Sequence, residues 1–169
     1  MIELYRIITI SQYVAALRTL EQCIDRTDDE TWVADHIDTR VNQVVFHTLF
    51  YADLYLSRNP HHFKEQQFHT DHPELFQDYQ EWEEGHPTNF YDVAGCRKYL
   101  EFCIEKVRAA VGAETEETLA GETGFSWRDG TRAEHHIYNI RHIQHHAAQL
   151  GLRHQLAGGL PLEWVSGGE

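Results

Sequence analysis

The stretch Thr131-Arg132-Ala133-Glu134-His135-His136-Ile137-Tyr138-Asn139-Ile140-Arg141-His142-Ile143-Gln144-His145-His146-Ala147-Ala148-Gln149-Leu150 reads as a helix that starts near Thr131. It runs to about Leu156, with Gly158-Gly159 and then Pro161 closing it. On that helix His135, Asn139, His142 and His146 stand at i, i+4, i+7 and i+11. They form a single stripe, because each step returns to within about 40° of the same direction. A bundle helix ordinarily turns apolar side chains inward or charged ones outward, and a row of neutral imidazoles with an amide suits neither purpose.

Working outward from this helix, the remaining periodic segments are also helical. Ser11 is a candidate N-cap for a first helix to about Arg26, with Ala15, Leu17, Leu20 and Ile24 on its apolar face. Thr27-Asp28-Asp29 breaks it, and residues 31–38 read as a short connection. A second helix runs from about Thr39 through Val41, Val44, Val45, Leu49, Tyr51, Leu54 and Tyr55 until Asn59-Pro60 stops it, with His47 in its middle. Residues 60–90 hold Pro60, Pro73, Gly85, Pro87 and five histidines without a sustained period. They read as a long excursion with one short helix around Pro73 to Tyr79. A third helix spans about Asp92 to Val111, burying Cys96, Tyr99, Leu100, Cys103, Ile104, Val107 and Ala110, and Gly112 is expected to end it. Between Ala113 and Gly130, Phe125 and Trp127 alternate with small polar residues ahead of an Asp129-Gly130 turn, so a hairpin-like piece is expected. Four helices in 169 residues read as one all-α domain spanning 1–169.

Composition narrows the function. The formal net charge is −13, and the acidic residues are spread along the whole chain. No basic face is available on which a phosphate backbone would release counterions, so nucleic-acid binding is not expected. No apolar run approaches the roughly 20 residues of a membrane-spanning helix, and the first residues lack the pattern of a signal peptide. A cytoplasmic protein without membrane partners is the expectation. Cys23, Cys96 and Cys103 lack C-x-x-C spacing, which fits reduced, core-packed thiols better than a disulfide framework. The composition has one anomaly, its 13 histidines.

His142 and His146 are one helical turn apart, so their ring nitrogens can converge on one ion at about 2.0–2.1 Å from each. His145, three residues beyond His142, is the neighbouring choice that spacing leaves open. The third ligand must come from another helix, and His47 is the best placed because it sits among Val44, Val45, Phe46, Leu49 and Phe50. Gln43 and Tyr51, four residues to either side of it, and Asn139 on the histidine stripe are candidates to steady the ligands or to bond substrate. Three imidazoles leave a position for water or substrate, the pattern of a catalytic rather than a structural site. A di-metal carboxylate bundle is disfavoured, since no helix carries a Glu-x-x-His pair. His135, His136, His145 and His154 are read as surface or packing residues, and His61, His62, His69, His72 and His86 as solvated loop residues.

The run from Asn139 to Gln149 resembles the last-helix signature N-x-x-H-x-x-H-H-x-x-Q of the DinB/YfiT-like superfamily. His47, within Val44-Val45-Phe46-His47-Thr48-Leu49-Phe50, resembles that family's second-helix histidine. The resemblance implies a four-helix bundle with up-down-down-up connectivity, residues 60–90 supplying the crossover. It also implies one divalent metal, zinc or nickel, held by His47, His142 and His146, and so selects His146 over His145. Members of the family include transferases and isomerases that use low-molecular-weight thiols, and proteins described as metal-dependent hydrolases. The expected function is therefore that of a metal-dependent enzyme, a thiol-dependent S-transferase or a hydrolase acting on a small molecule. The alternative is a non-catalytic binding protein, metal-stabilised or stress-responsive. A homodimer fits the resemblance, with Trp82 and Trp164 as candidate interface residues.

Overall fold

The second long helix of the chain is buried on nearly every side, and this sets the architecture. α3 (Val41–Leu56) buries every residue except His47 and Tyr51. A helix buried all round needs neighbours on all sides. The computed structural model describes residues 1–35, 39–76, 79 and 89–168. The other long helices are α1 (Ile2–Arg26), α7 (Val93–Ala113) and α9 (Arg132–Leu156), joined by the short α2 (Asp29–Val33), α4 (Pro60–Lys64), α5 (Gln67–Asp71), α6 (Pro73–Phe76) and α8 (Glu116–Ala120). Both α1 and α3 pack against α7 and α9. Among the described residues the only β feature is an isolated antiparallel bridge between Glu122 and Thr131, so the all-α expectation holds.

Several boundaries differ from the sequence reading, each for a tertiary reason. α1 begins at Ile2, nine residues before the expected cap Ser11. Its first turns present Leu4, Ile7 and Ile8 outward, so no apolar period marks them. They are held instead by polar anchors: the Tyr5 hydroxyl donates to the Ala133 carbonyl at 3.1 Å and Arg6 Nε to the Glu114 carbonyl at 3.0 Å. Within the expected 31–38 connection α2 forms because Asp28 caps it, accepting from Thr31 N at 2.8 Å, and Trp32 is buried with its indole N–H donating to the Tyr91 carbonyl at 2.8 Å. Gly112 does not stop α7, which continues to Ala113 and closes at Glu114. The expected hairpin reduces to the Glu122–Thr131 bridge, because residues 116–120 are taken up by α8 under a Thr115–Thr118 capping box.

The excursion after α3 is structured by aromatic burial. Phe63 and Phe76 enter the core, Phe46 stacks on Tyr91 at 3.7 Å between ring centroids, and Phe68 stacks on Phe102 at 4.1 Å. Each such ring taken out of water contributes on the order of 1.5–3 kcal/mol. α6 forms the first part of the helix expected at Pro73 to Tyr79, and Gln77 and Asp78 lie outside the described residues. Trp82 and His86 lie outside the described residues. After α9, the tail returns along α1: Glu163 N donates to Gln22 Oε1 at 2.8 Å, and Gln12 Nε2 donates to the Ser166 carbonyl at 3.2 Å. Among the described residues no helix is long and apolar enough to cross a membrane.

Candidate metal centre

α9 starts at a fixed residue, which fixes the direction of its histidine stripe. Thr131 Oγ1 accepts from Glu134 N at 3.2 Å while the Glu134 carboxylate accepts from Thr131 N at 2.9 Å, a reciprocal capping box. Two turns on, Asn139 Nδ2 donates to the Ala52 carbonyl of α3 at 3.0 Å. This bond ties the registers of the two helices together next to Tyr51. The stripe then runs from fully buried His135 and Asn139 to half-buried His142 and His146, and it meets α3 where that helix exposes His47 and Tyr51.

At this meeting point one ring nitrogen from each of His47, His142 and His146 lies within 4.8 Å of the others. Ring centroids are 5.4 Å apart for His47 and His142, 5.0 Å for His47 and His146, and 4.7 Å for His142 and His146. His145 is exposed and stays outside the cluster, packing only its ring against His146. Among the described residues this is the only group of three or more His, Cys, Asp or Glu side chains with metal-ligand proximity.

The electrostatics favour a cation. Burial, reinforced by the neighbouring His146 and His47, drives the His142 pKa down to about 3. Burial likewise lowers His146 to about 4, against the opposing pull of its hydrogen bond to Gln149. Both imidazoles are therefore neutral near pH 7, the state that offers a lone pair to a metal. His146 Nδ1 lies 3.1 Å from Gln149 Oε1, so the amide oxygen accepts the Nδ1 proton and Nε2 keeps the lone pair. His142 Nδ1 is buried with no hydrogen-bond partner. Three imidazoles, one of them with a buried nitrogen left unpartnered among the described residues, fit a borderline-soft divalent ion.

Of the other candidates, Tyr51 belongs to the site, its ring 4.8 Å from His47 and 5.8 Å from His142. Gln43 is buried one turn before His47. Asn139 donates across the α3–α9 contact to the Ala52 carbonyl. Two residues beside the cluster were not anticipated. Gln149, three residues beyond His146, could be read from its i,i+3 spacing, whereas Tyr55, one turn beyond Tyr51, carries no chemical signature in sequence.

One expectation about an individual histidine is corrected, and the alternatives left open for two others are narrowed. His69 is not a solvated loop residue: it is buried, with Nε2 2.9 Å from Asp53 Oδ2 and Nδ1 3.0 Å from the Tyr79 hydroxyl. Asp53, fully buried, also accepts from Tyr99 at 2.8 Å, from Gln66 at 3.0 Å and from Lys106. Burial pushes the Asp53 carboxyl up, but Lys106 and His69 outweigh it and hold it below the usual range. Of the roles open to His135 and His136, burial makes both packing residues of the core. His136 Nε2 donates to Glu114 Oε1 at 3.0 Å and its Nδ1 accepts from the Tyr13 hydroxyl at 3.1 Å. Burial of Glu114 is overcome by its bonds from His136, Thr118 and Arg132, which bring its carboxyl down to about 2. Compared with family models, with curated proteins and with solved structures, the chain has no significant match.

Proposed function

We propose that this chain is a DinB/YfiT-like four-helix bundle of up-down-down-up connectivity that holds one divalent metal, zinc or nickel, on His47, His142 and His146. It acts on a small molecule as a metal-dependent enzyme of thiol-dependent transferase or hydrolase type. The observation that carries this reading is the convergence of three imidazole nitrogens within 4.8 Å from two different helices. The bundle reading is supported by α1 and α3 each packing on both α7 and α9, and by the excursion that separates α3 from α7.

When bound, the ion would supply a Lewis acid that lowers the pKa of a water or a thiol. The chain's residues do the rest. His142 and His146 remain unprotonated in their buried setting, and Gln149 holds the Nδ1 proton of His146 in place. Tyr51 walls the cluster beside His47 and His142. The ligand cluster is half-buried rather than sealed, so a substrate can reach it, and this favours chemistry over a purely bracing role. The test is metal analysis of purified protein followed by a screen of low-molecular-weight thiols against model electrophiles, wild type beside His146→Ala. Joint loss of metal and turnover in the variant is the expected result. Turnover that survives at the wild-type rate in His146→Ala would overturn the reading.

A further inference from the structure

In a chain with 27 acidic residues against 14 basic ones, an arginine near its surface is expected to find a carboxylate. Arg18, Arg26, Arg40, Arg97, Arg108 and Arg132 each do so, at 2.6 to 3.6 Å. Arg128 does not. Its guanidinium lies over the Tyr138 ring, 3.6 Å from the centroid, and its Nε is buried with no hydrogen-bond partner. The loop that presents it is built rather than loose. Arg128 N donates to the Phe125 carbonyl at 3.0 Å, Thr123 Oγ1 donates to the Arg128 carbonyl at 2.7 Å, and Gly124 sits at φ +85° against the Arg58 carbonyl, where a side chain has no room.

From Arg128 an aromatic face leads to the three histidines, half-buried at Tyr138 and Tyr51 and buried at Tyr55. Tyr138 contacts Tyr55 at 5.8 Å, Tyr55 contacts Tyr51 at 5.5 Å, and Tyr51 contacts His47 at 4.8 Å. A second orphan lies under this face. His135 is fully buried, its ring 4.7 Å from Tyr55 and 6.2 Å from Tyr138, and neither of its nitrogens has a partner. Buried polar atoms left unmatched are costly, and such groups are commonly answered by a polar guest or its water.

We propose that this face, from Arg128 across Tyr138, Tyr55 and Tyr51 to the three histidines, binds a small organic oxyanion. The guanidinium takes the carboxylate or phosphate at one end, Tyr138 and Tyr51 cover the body over buried Tyr55, and the other end reaches His47, His142 and His146. The assignment of that far end rests on the metal reading above; the Arg128 end does not. A planar guanidinium suits both oxyanions, and its stacking on Tyr138 holds the fork in place for them.

The test is calorimetry on metal-loaded protein with three probes: mercaptooctanoate, mercaptooctyl phosphate and mercaptooctanol. At least one charged probe is expected to bind about tenfold or more tightly than the alcohol, as a charge-assisted hydrogen bond implies, and the tighter of the two identifies the head group. In Arg128→Gln that preference should fall to within about twofold while metal content stays unchanged, and Arg128→Lys should keep part of it. Equal binding of charged and neutral probes by wild type, or a preference that survives in Arg128→Gln, would overturn the proposal. Octanoate against octanol, titrated into chelator-treated protein, separates the two claims. If only the metal reading fails, wild type still prefers octanoate and Arg128→Gln loses that preference.

Discussion

His135, His142 and His146 are held neutral by burial, first of all, with pKa values of about 3, 3 and 4. In the unfolded chain each returns to about 6.5. Between these limits the unfolded chain binds more protons than the folded one, so stability is complete above about pH 6.5 and is lost as pH falls toward the folded values. Metal-free protein should therefore show a lower urea midpoint at about pH 5 than at about pH 7, and a flat profile would contradict the burial of these rings. Gln149→Ala frees the Nδ1 proton of His146 and should weaken metal binding about ten- to a hundredfold, as read by competition with a chromophoric chelator. An unchanged affinity would remove Gln149 from the site. His47, His142 and His146 were legible because helical spacing and residue type together suffice to nominate them. The partners of His146 and the orphan nitrogens of His135 and His142 were not, since they depend on side-chain rotamers and on what the neighbouring helix presents.

Between elements, the strongest polar joint is Asp53, which receives bonds from α7 through Tyr99 and Lys106 and from the excursion through Gln66 and His69. Removing one member of a buried ion pair leaves the other uncompensated, so Asp53→Ala should cost about 3–5 kcal/mol in chemical denaturation. It should also speed hydrogen exchange in residues 60–76. A cost within the range of an ordinary surface substitution would mean that aromatic packing alone holds the excursion. Asp53 was not singled out in the sequence, because its partners stand 13 to 53 residues away and no local pattern announces them. The same reasoning separates the elements that were legible from those that were not. α3, α7 and α9 carry their own apolar periods. The first turns of α1, all of α2 and α8, and the short helices after α3 persist through caps and contacts supplied from elsewhere in the chain.

At the scale of the whole molecule, the proposed metal site would make metal binding and folding one equilibrium, because the three nitrogens come from α3 and α9 and converge where these helices pack. Free metal at a thousandfold over its dissociation constant should add about 4 kcal/mol. For a chain of this size that raises Tm by about 10 °C. Chelation should remove the gain from wild type, and a variant lacking all three histidines should show none to remove. A wild-type Tm indifferent to both metal and chelator would break the link between site and fold. The most direct measurement is metal stoichiometry by equilibrium dialysis and mass spectrometry, on wild type and on the His47→Ala, His142→Ala and His146→Ala variants. The account predicts one equivalent of zinc or nickel per wild-type chain and well under one in each variant. A wild type that binds none, or a His142→Ala protein that keeps its full equivalent, would contradict it.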